Sequence, residues 1–437
     1  MSDATPNPTP DAAPTLQRHL GTGRAIMVGL AAMIGAGVFY VWAPASAAAG
    51  AGLLIGLVIA GIIASLNALS SAQLAMAYPV SGGTYAYGRA FLGPWWGFAA
   101  GWLFMSGKTA SAGAIALIVG SYLWPDAARP VAVLAIVVLG LVNMAGIRGT
   151  AGVSTVIVAT VIGGLLVVFA AIGFGGGRGM AHLDVATLTD GGWYGILQSA
   201  GLLFFCFAGY ARMATLGEEV KNPRRTLPRA IVTALAITLV LYAVIGVLCV
   251  TILGPEALAR SVSPLADVLD VVFGSSDSGA APSPWVVLAR IVAAVAGLGS
   301  LLGILAGLSR TGLAMARNRD LPGPLSRIST RTHAPVVAEA AVGVLAIASV
   351  LLLAPAQLVG FSACSVLVYY AIAHVSALRQ RSPDRWLPRA VQYVGVSGCL
   401  LLAFTLPWQG VAVAAAWLAV GLAARGIRLL LTRTERT

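Results

Sequence analysis

The sequence predicts an all-α integral membrane protein of twelve transmembrane helices. Ten form a five-plus-five inverted repeat with helices 1 and 6 broken, and two extra helices follow at the C-terminal end. Three observations predict it: apolar windows of membrane-crossing length recur, positive charge alternates with them, and two windows are interrupted by glycine at matching places.

Crossing a bilayer as a helix takes ~20 mainly apolar residues. Windows of that kind lie at about 24–42, 51–77, 95–123, 130–146, 153–174 and 192–216, then at about 229–253, 285–308, 335–354, 357–378, 389–406 and 410–431. The chain has 437 residues, 58% hydrophobic and 10% charged. Its mean hydropathy of +0.89 is too high for a soluble domain.

The net charge of +12 would suit a nucleic-acid partner, but its placement follows the spans instead. Of the 27 Lys and Arg, 21 fall in the two tails and the even-numbered loops. The other side holds Arg129, Arg178, Arg260 and Arg290, and only Lys108 and Arg212 are left inside spans. Both termini are therefore expected in the cytoplasm of a cell (inner or plasma) membrane protein, with most cations meeting lipid headgroups. Nucleic acid is excluded as a partner. Oligomeric state is not legible.

Residues 1–17 are rich in Pro, Thr, Asp and Ala without an apolar core, and read as a disordered cytoplasmic tail rather than a signal peptide. Residues 18–174 form the first repeat (spans 1–5), 175–378 the second (spans 6–10), and 379–437 the last two spans and a tail. An odd number of spans per repeat forces the copies into opposite orientations. The cysteines Cys206, Cys249, Cys364 and Cys399 lie in apolar spans without ligand spacing, so no disulfide, metal or cofactor is expected.

Ile34-Gly35-Ala36-Gly37-Val38-Phe39 interrupts the first span, and Phe207-Ala208-Gly209-Tyr210 the sixth. An unpaired backbone group in hydrocarbon costs on the order of several kcal/mol, so irregular backbone at that depth survives where it lines an enclosed cavity. Paired interruptions in two halves point to the substrate site of a secondary transporter. Amides opening the second half of span 1 carry the positive end of a helix dipole and suit a carboxylate. A small-residue packing face is the alternative, and it suits Gly97 and Gly101 better than Gly35 and Gly37.

Four segments carry a family resemblance. Phe204 to Arg212 followed by Glu218-Glu219-Val220-Lys221-Asn222-Pro223 and a basic loop ending at Pro228 resembles the sixth-helix signature of the amino acid, polyamine and organocation (APC) superfamily. Gly35 to Phe39 is similar to its first-helix motif, Tyr78 to Tyr85 to its second-to-third-span motif, and Ala314 to Pro322 to the segment after span 8. The resemblance implies a leucine-transporter-type fold and an amino acid permease working by alternating access. It also implies that Ile34, Gly35, Ala36 and Gly37 meet the substrate carboxylate. Phe204, Phe207, Ala208, Gly209 and Tyr210 would supply carbonyls for its ammonium and an aromatic lid. Phe39 and Met105, with Phe207 and Tyr210, are specificity candidates.

Every Asp and Glu is read as lying in a loop, a tail or a span end, which argues against cationic substrates. Lys108, in mid-span 3, is an intramembrane ionisable group and so a candidate for proton coupling. Some proton-coupled members of the superfamily carry a lysine on span 5; this chain has Val161 there, and Lys108 is expected to supply the missing cation. A structural lysine bonding freed carbonyls is the competing reading. Ser300 with carbonyls near Gly35 would instead suit sodium. Arg212 and Glu218 read as structural or gating residues.

Gly107-Lys108-Thr109 only mimics a phosphate-binding loop, since Trp102 stands where that loop needs its first glycine. No catalytic motif accompanies it, and His374 reads as a packed side chain, which weakens the rival class of membrane-embedded enzyme. The sequence thus predicts a secondary transporter of a neutral amino acid, coupled to protons. An exchanger, an exporter or a sodium-coupled transporter of the same fold are the alternatives.

Overall fold

The computed structural model describes residues 20–78, 82–145, 150–174, 185–210, 213, 220–274, 282–332, 334–380 and 385–434. Among these the regular structure is helical, apart from one parallel β-bridge between Leu20 and Val220.

The first span is split into α1 (Thr22–Met33), α2 (Gly37–Tyr40) and α3 (Trp42–Ala49). There follow α4 (Leu53–Ala77), the short α5 (Thr84–Phe91), α6 (Pro94–Leu123), α7 (Ala128–Met144) and α8 (Thr150–Phe174). The second half holds α9 (Gly192–Phe207), α10 (Pro223–Arg260), α11 (Pro264–Phe273) and α12 (Pro284–Arg317). It ends with α13 (Val336–Leu352), α14 (Pro355–Arg379), α15 (Arg389–Thr405) and α16 (Trp408–Thr434). Among the described residues eight helical stretches can cross a membrane by length and composition, while α1, α9, α13 and α15 are shorter apolar helices. Two of those four are the halves in which the sequence places a break. The apolar windows do not reveal α5 and α11, which lie between spans.

Local chemistry sets several boundaries. Proline opens α6, α10, α11, α12 and α14, where its missing N–H costs nothing. The long α10 bends at Gly254, whose φ of +74° is left-handed, just before Pro255.

The bundle is organised around α6 and α14. In each, 83% of the most apolar stretch is buried, against 11% in α16, which therefore lies at the rim. Small residues permit this close approach: a β-carbon on Gly107 would stand 2.7 Å from Ser365 Cβ, and the Ser111 and Ser362 hydroxyls are 2.6 Å apart. His374 is fully buried, 2.6 Å from Asn67 Oδ1, with its ring against Gly395. It is a packed histidine, as the sequence suggests.

Two of the sequence motifs close on each other at one end of the bundle. Tyr85 of α5 donates its hydroxyl to Asp320 Oδ2 (2.8 Å), and Arg89 reaches the same oxygen (2.7 Å). Arg425 of α16 bonds the other carboxylate oxygen and lies over the Phe98 ring, 4.7 Å from its centroid. Burial, reinforced by the bond to Asp320, raises the pKa of the Tyr85 phenol, so it stays a donor.

Candidate functional site

The first break occupies Ile34, Gly35 and Ala36. Ile34 leaves the helix at φ −80°, ψ 69°, its amide still bonded to Leu30 O (2.7 Å), and the Gly35 amide turns back to Met33 O (2.8 Å). A β-carbon on Gly35 would stand 2.1 Å from Ser300 Oγ, so glycine lets α12 approach. Ser300 itself donates to Ala31 O (3.3 Å). The helix resumes at Gly37, with Phe39 N–H bonding Ala36 O (3.0 Å) and Val41 N–H bonding Gly37 O (3.0 Å). The amides of Ala36 and Gly37 therefore open a helix, where donors have no intrahelical acceptor.

The second break begins where α9 ends at Phe207 and a tight turn runs over Ala208–Tyr210. Gly209 lies against the last turn of α1: a β-carbon there would be 2.0 Å from Ala32 O and 2.7 Å from Met33 N. The backbones of the two breaks thus touch, and only glycine fits between them. The side chain of Tyr210, and the whole of Arg212 and Glu218, lie outside the described residues.

Two side chains from other helices fasten the breaks, Tyr242 at both and Lys108 at the second. Tyr242 of α10 places its hydroxyl 2.6 Å from Met33 O and 3.2 Å from Cys206 O, one acceptor from each interrupted span. Lys108 of α6 is 8% exposed, and its Nζ donates to Ala208 O at 3.1 Å. Burying an ammonium costs several kcal/mol even after relaxation, on the order of more than the ~1.5–3 kcal/mol that one charged hydrogen bond returns.

The candidate aromatic residues separate into different surroundings. Phe207 packs against Tyr242 (centroids 4.9 Å apart), while Phe204 meets Tyr370 of α14 edge-on (5.9 Å). Phe39 meets Tyr122 edge-on (6.0 Å), and Tyr122 donates to Phe39 O (2.7 Å). Met105, a turn before Lys108, lies near Gly312 of α12. Val161 is buried on α8.

Sequence reasoning missed Tyr242, although a lone tyrosine within the aliphatic run Leu239-Val240-Leu241-Tyr242 carries a hydroxyl that must find an acceptor. It also missed Phe205 and Cys206, which lie 3.0 and 3.2 Å from where a Gly37 β-carbon would stand. One expectation is overturned. Glu339 does lie at a span end, in the first turn of α13, but it is a buried carboxyl, 3% exposed, with Ser309 Oγ 2.7 Å away, where none was expected to be buried. A glutamate at a helix start looks solvent-facing in sequence, and packing against α12 buries it.

Interrupted helices that meet inside an all-helical, multi-span protein are an arrangement of the membrane-transporter class. The chain belongs to the amino acid permease family of the APC superfamily, whose sequence profile matches residues 24–422. It is 49% identical over 96% of its length to an uncharacterized transporter of Mycobacterium tuberculosis, covering 93% of that protein. It is 29% identical to the branched-chain amino acid permease BcaP of Bacillus subtilis, over 93% of this chain and 92% of that one. It is also 29% identical to the vacuolar cationic amino acid transporter 4 of Arabidopsis thaliana, over 84% of this chain and 64% of that one.

Proposed function

We propose that the protein carries a neutral amino acid across the cell membrane by alternating access, driven by protons, with both termini cytoplasmic and spans 1–5 and 6–10 forming an inverted repeat. The observation that carries this reading is the bond from Lys108 Nζ to Ala208 O at 3.1 Å, which puts an ionisable amine on the sixth-span break. With a proton on Lys108, the amine holds the break against span 3. Without it, a carbonyl in the membrane interior loses a charged donor. Proton occupancy is thereby linked to the shape of the substrate site.

The substrate carboxylate would meet the amides of Ala36 and Gly37, and its ammonium the carbonyls of Phe207, Ala208 and Gly209. Apolar side chains crowd the junction, namely Met33, Phe205, Cys206 and Phe207. The buried carboxylate of Glu339 is bonded to Ser309, nine residues along α12 from Ser300, or ~14 Å at 1.5 Å per residue. Among the described residues a cationic side chain would therefore lack a partner there, which favours neutral substrates.

The test is uptake of labelled amino acids by liposomes containing the purified protein under imposed proton or sodium gradients. Proton-driven uptake of a neutral amino acid is expected. Uptake driven by sodium alone would move the coupling to the Ser300 side, and no transport of any amino acid under either gradient would overturn the reading.

A further inference from the structure

The interface of α12 and α13 contains a buried carboxyl with one oxygen in contact with a serine and the other without a partner among the described residues. Ser309 Oγ lies 2.7 Å from Glu339 Oε1 and 3.1 Å from Ala306 O, both acceptors when the carboxyl is ionised. A serine hydroxyl has one proton, so it can serve only one of them. Glu339 is 3% exposed, and its other oxygen, Oε2, has no partner among the described residues. An ionised carboxylate here would be desolvated and left with one oxygen unpaired.

A proton on the carboxyl removes the buried charge. Glu339 then donates to Ser309 Oγ, Ser309 donates to Ala306 O, and both short contacts are hydrogen bonds. The groups that oppose this are few. Glu339's own amide already bonds Pro335 O (2.9 Å), and the charged side chain that acts on it is Arg310, exposed on α12 beside Ser309. Of the other elements packed against α13, α6 brings Lys108, which is committed to Ala208 O, and α7 brings Arg129 in its first turn. The turn Gly323–Ser326 brings no charge.

We propose that Glu339 and Ser309 form a second proton-binding site, in which a proton from water is held on the Glu339 carboxyl as long as α12 and α13 stay in contact. It is separate from Lys108 and does not depend on which solute is carried.

Infrared spectroscopy of the full-length protein in lipid at neutral pH tests it, because a protonated carboxylic acid has a carbonyl stretch that a carboxylate lacks. The wild-type protein should show that band. Glu339→Gln, which keeps a donor for Ser309 Oγ, should lose it, and Ser309→Ala should shift it to higher frequency by removing its acceptor. Absence of the band from wild-type protein would overturn the proposal without recourse to any variant, as would a band unchanged in Glu339→Gln.

Discussion

Lys108 on α6 and Ala208 in the turn after α9 are 100 residues apart in sequence and joined by a 3.1 Å bond from the lysine Nζ to the carbonyl, deep among apolar helices. Lys108→Met keeps the length of the stem and removes the donor. It should lower the rate of amino acid uptake roughly tenfold or more, the scale of one charged hydrogen bond of ~1.5–3 kcal/mol. Unchanged initial rates in liposomes would show the bond to be dispensable.

Tyr242→Phe removes the hydroxyl that bridges Met33 O and Cys206 O, and leaves the ring that packs on Phe207. The one hydroxyl proton shared between the two carbonyls is then lost, while Met33 O keeps its bond from the Gly35 amide, at a cost of about 1 kcal/mol. Thermal unfolding in detergent should come several degrees earlier, and uptake should fall. The same substitution should hardly perturb protein in which the two breaks have separated, so a wild-type melting temperature would contradict the contact.

The glycines of the two breaks should respond differently to alanine. Gly209→Ala meets backbone, Ala32 O at 2.0 Å, and should abolish folded, active protein. Gly35→Ala meets mainly the Ser300 hydroxyl at 2.1 Å, so Ser300→Ala in the same chain should restore part of the yield and activity. Equal effects of the two single changes, with no rescue, would argue against this packing.

At the other end of the bundle, Asp320 is the shared acceptor of Tyr85, Arg89 and Arg425. Asp320→Asn leaves two guanidiniums without their counter-charge, and one of them, Arg425, is only 10% exposed. A loss of roughly 1–3 kcal/mol is expected, discounted for the more exposed Arg89. Thermal melts should show it, with a smaller effect for Arg89→Ala than for Arg425→Ala.

The periodic, repeated features were legible in sequence. Apolar windows gave the membrane-crossing helices, and two glycine-containing interruptions gave the breaks at Gly35 and Gly209. What was not legible depends on contacts between helices distant in sequence. Nothing in the sequence around Tyr242 says that its hydroxyl reaches both breaks, and a carboxylate at the start of α13 gives no sign that Ser309 covers it. The likeness among motifs placed Tyr85 and Asp320 correctly as marked segments, while their bond to each other emerged only in three dimensions.

The central claim, that a proton on Lys108 is linked to the site at the two breaks, is tested most directly by uptake of a neutral amino acid into liposomes under an imposed inward proton gradient, wild type beside Lys108→Met. Accumulation against the substrate gradient in the wild type, and its loss in the variant with only downhill exchange remaining, is the predicted result. Proton-driven accumulation that survives unchanged in Lys108→Met would contradict it.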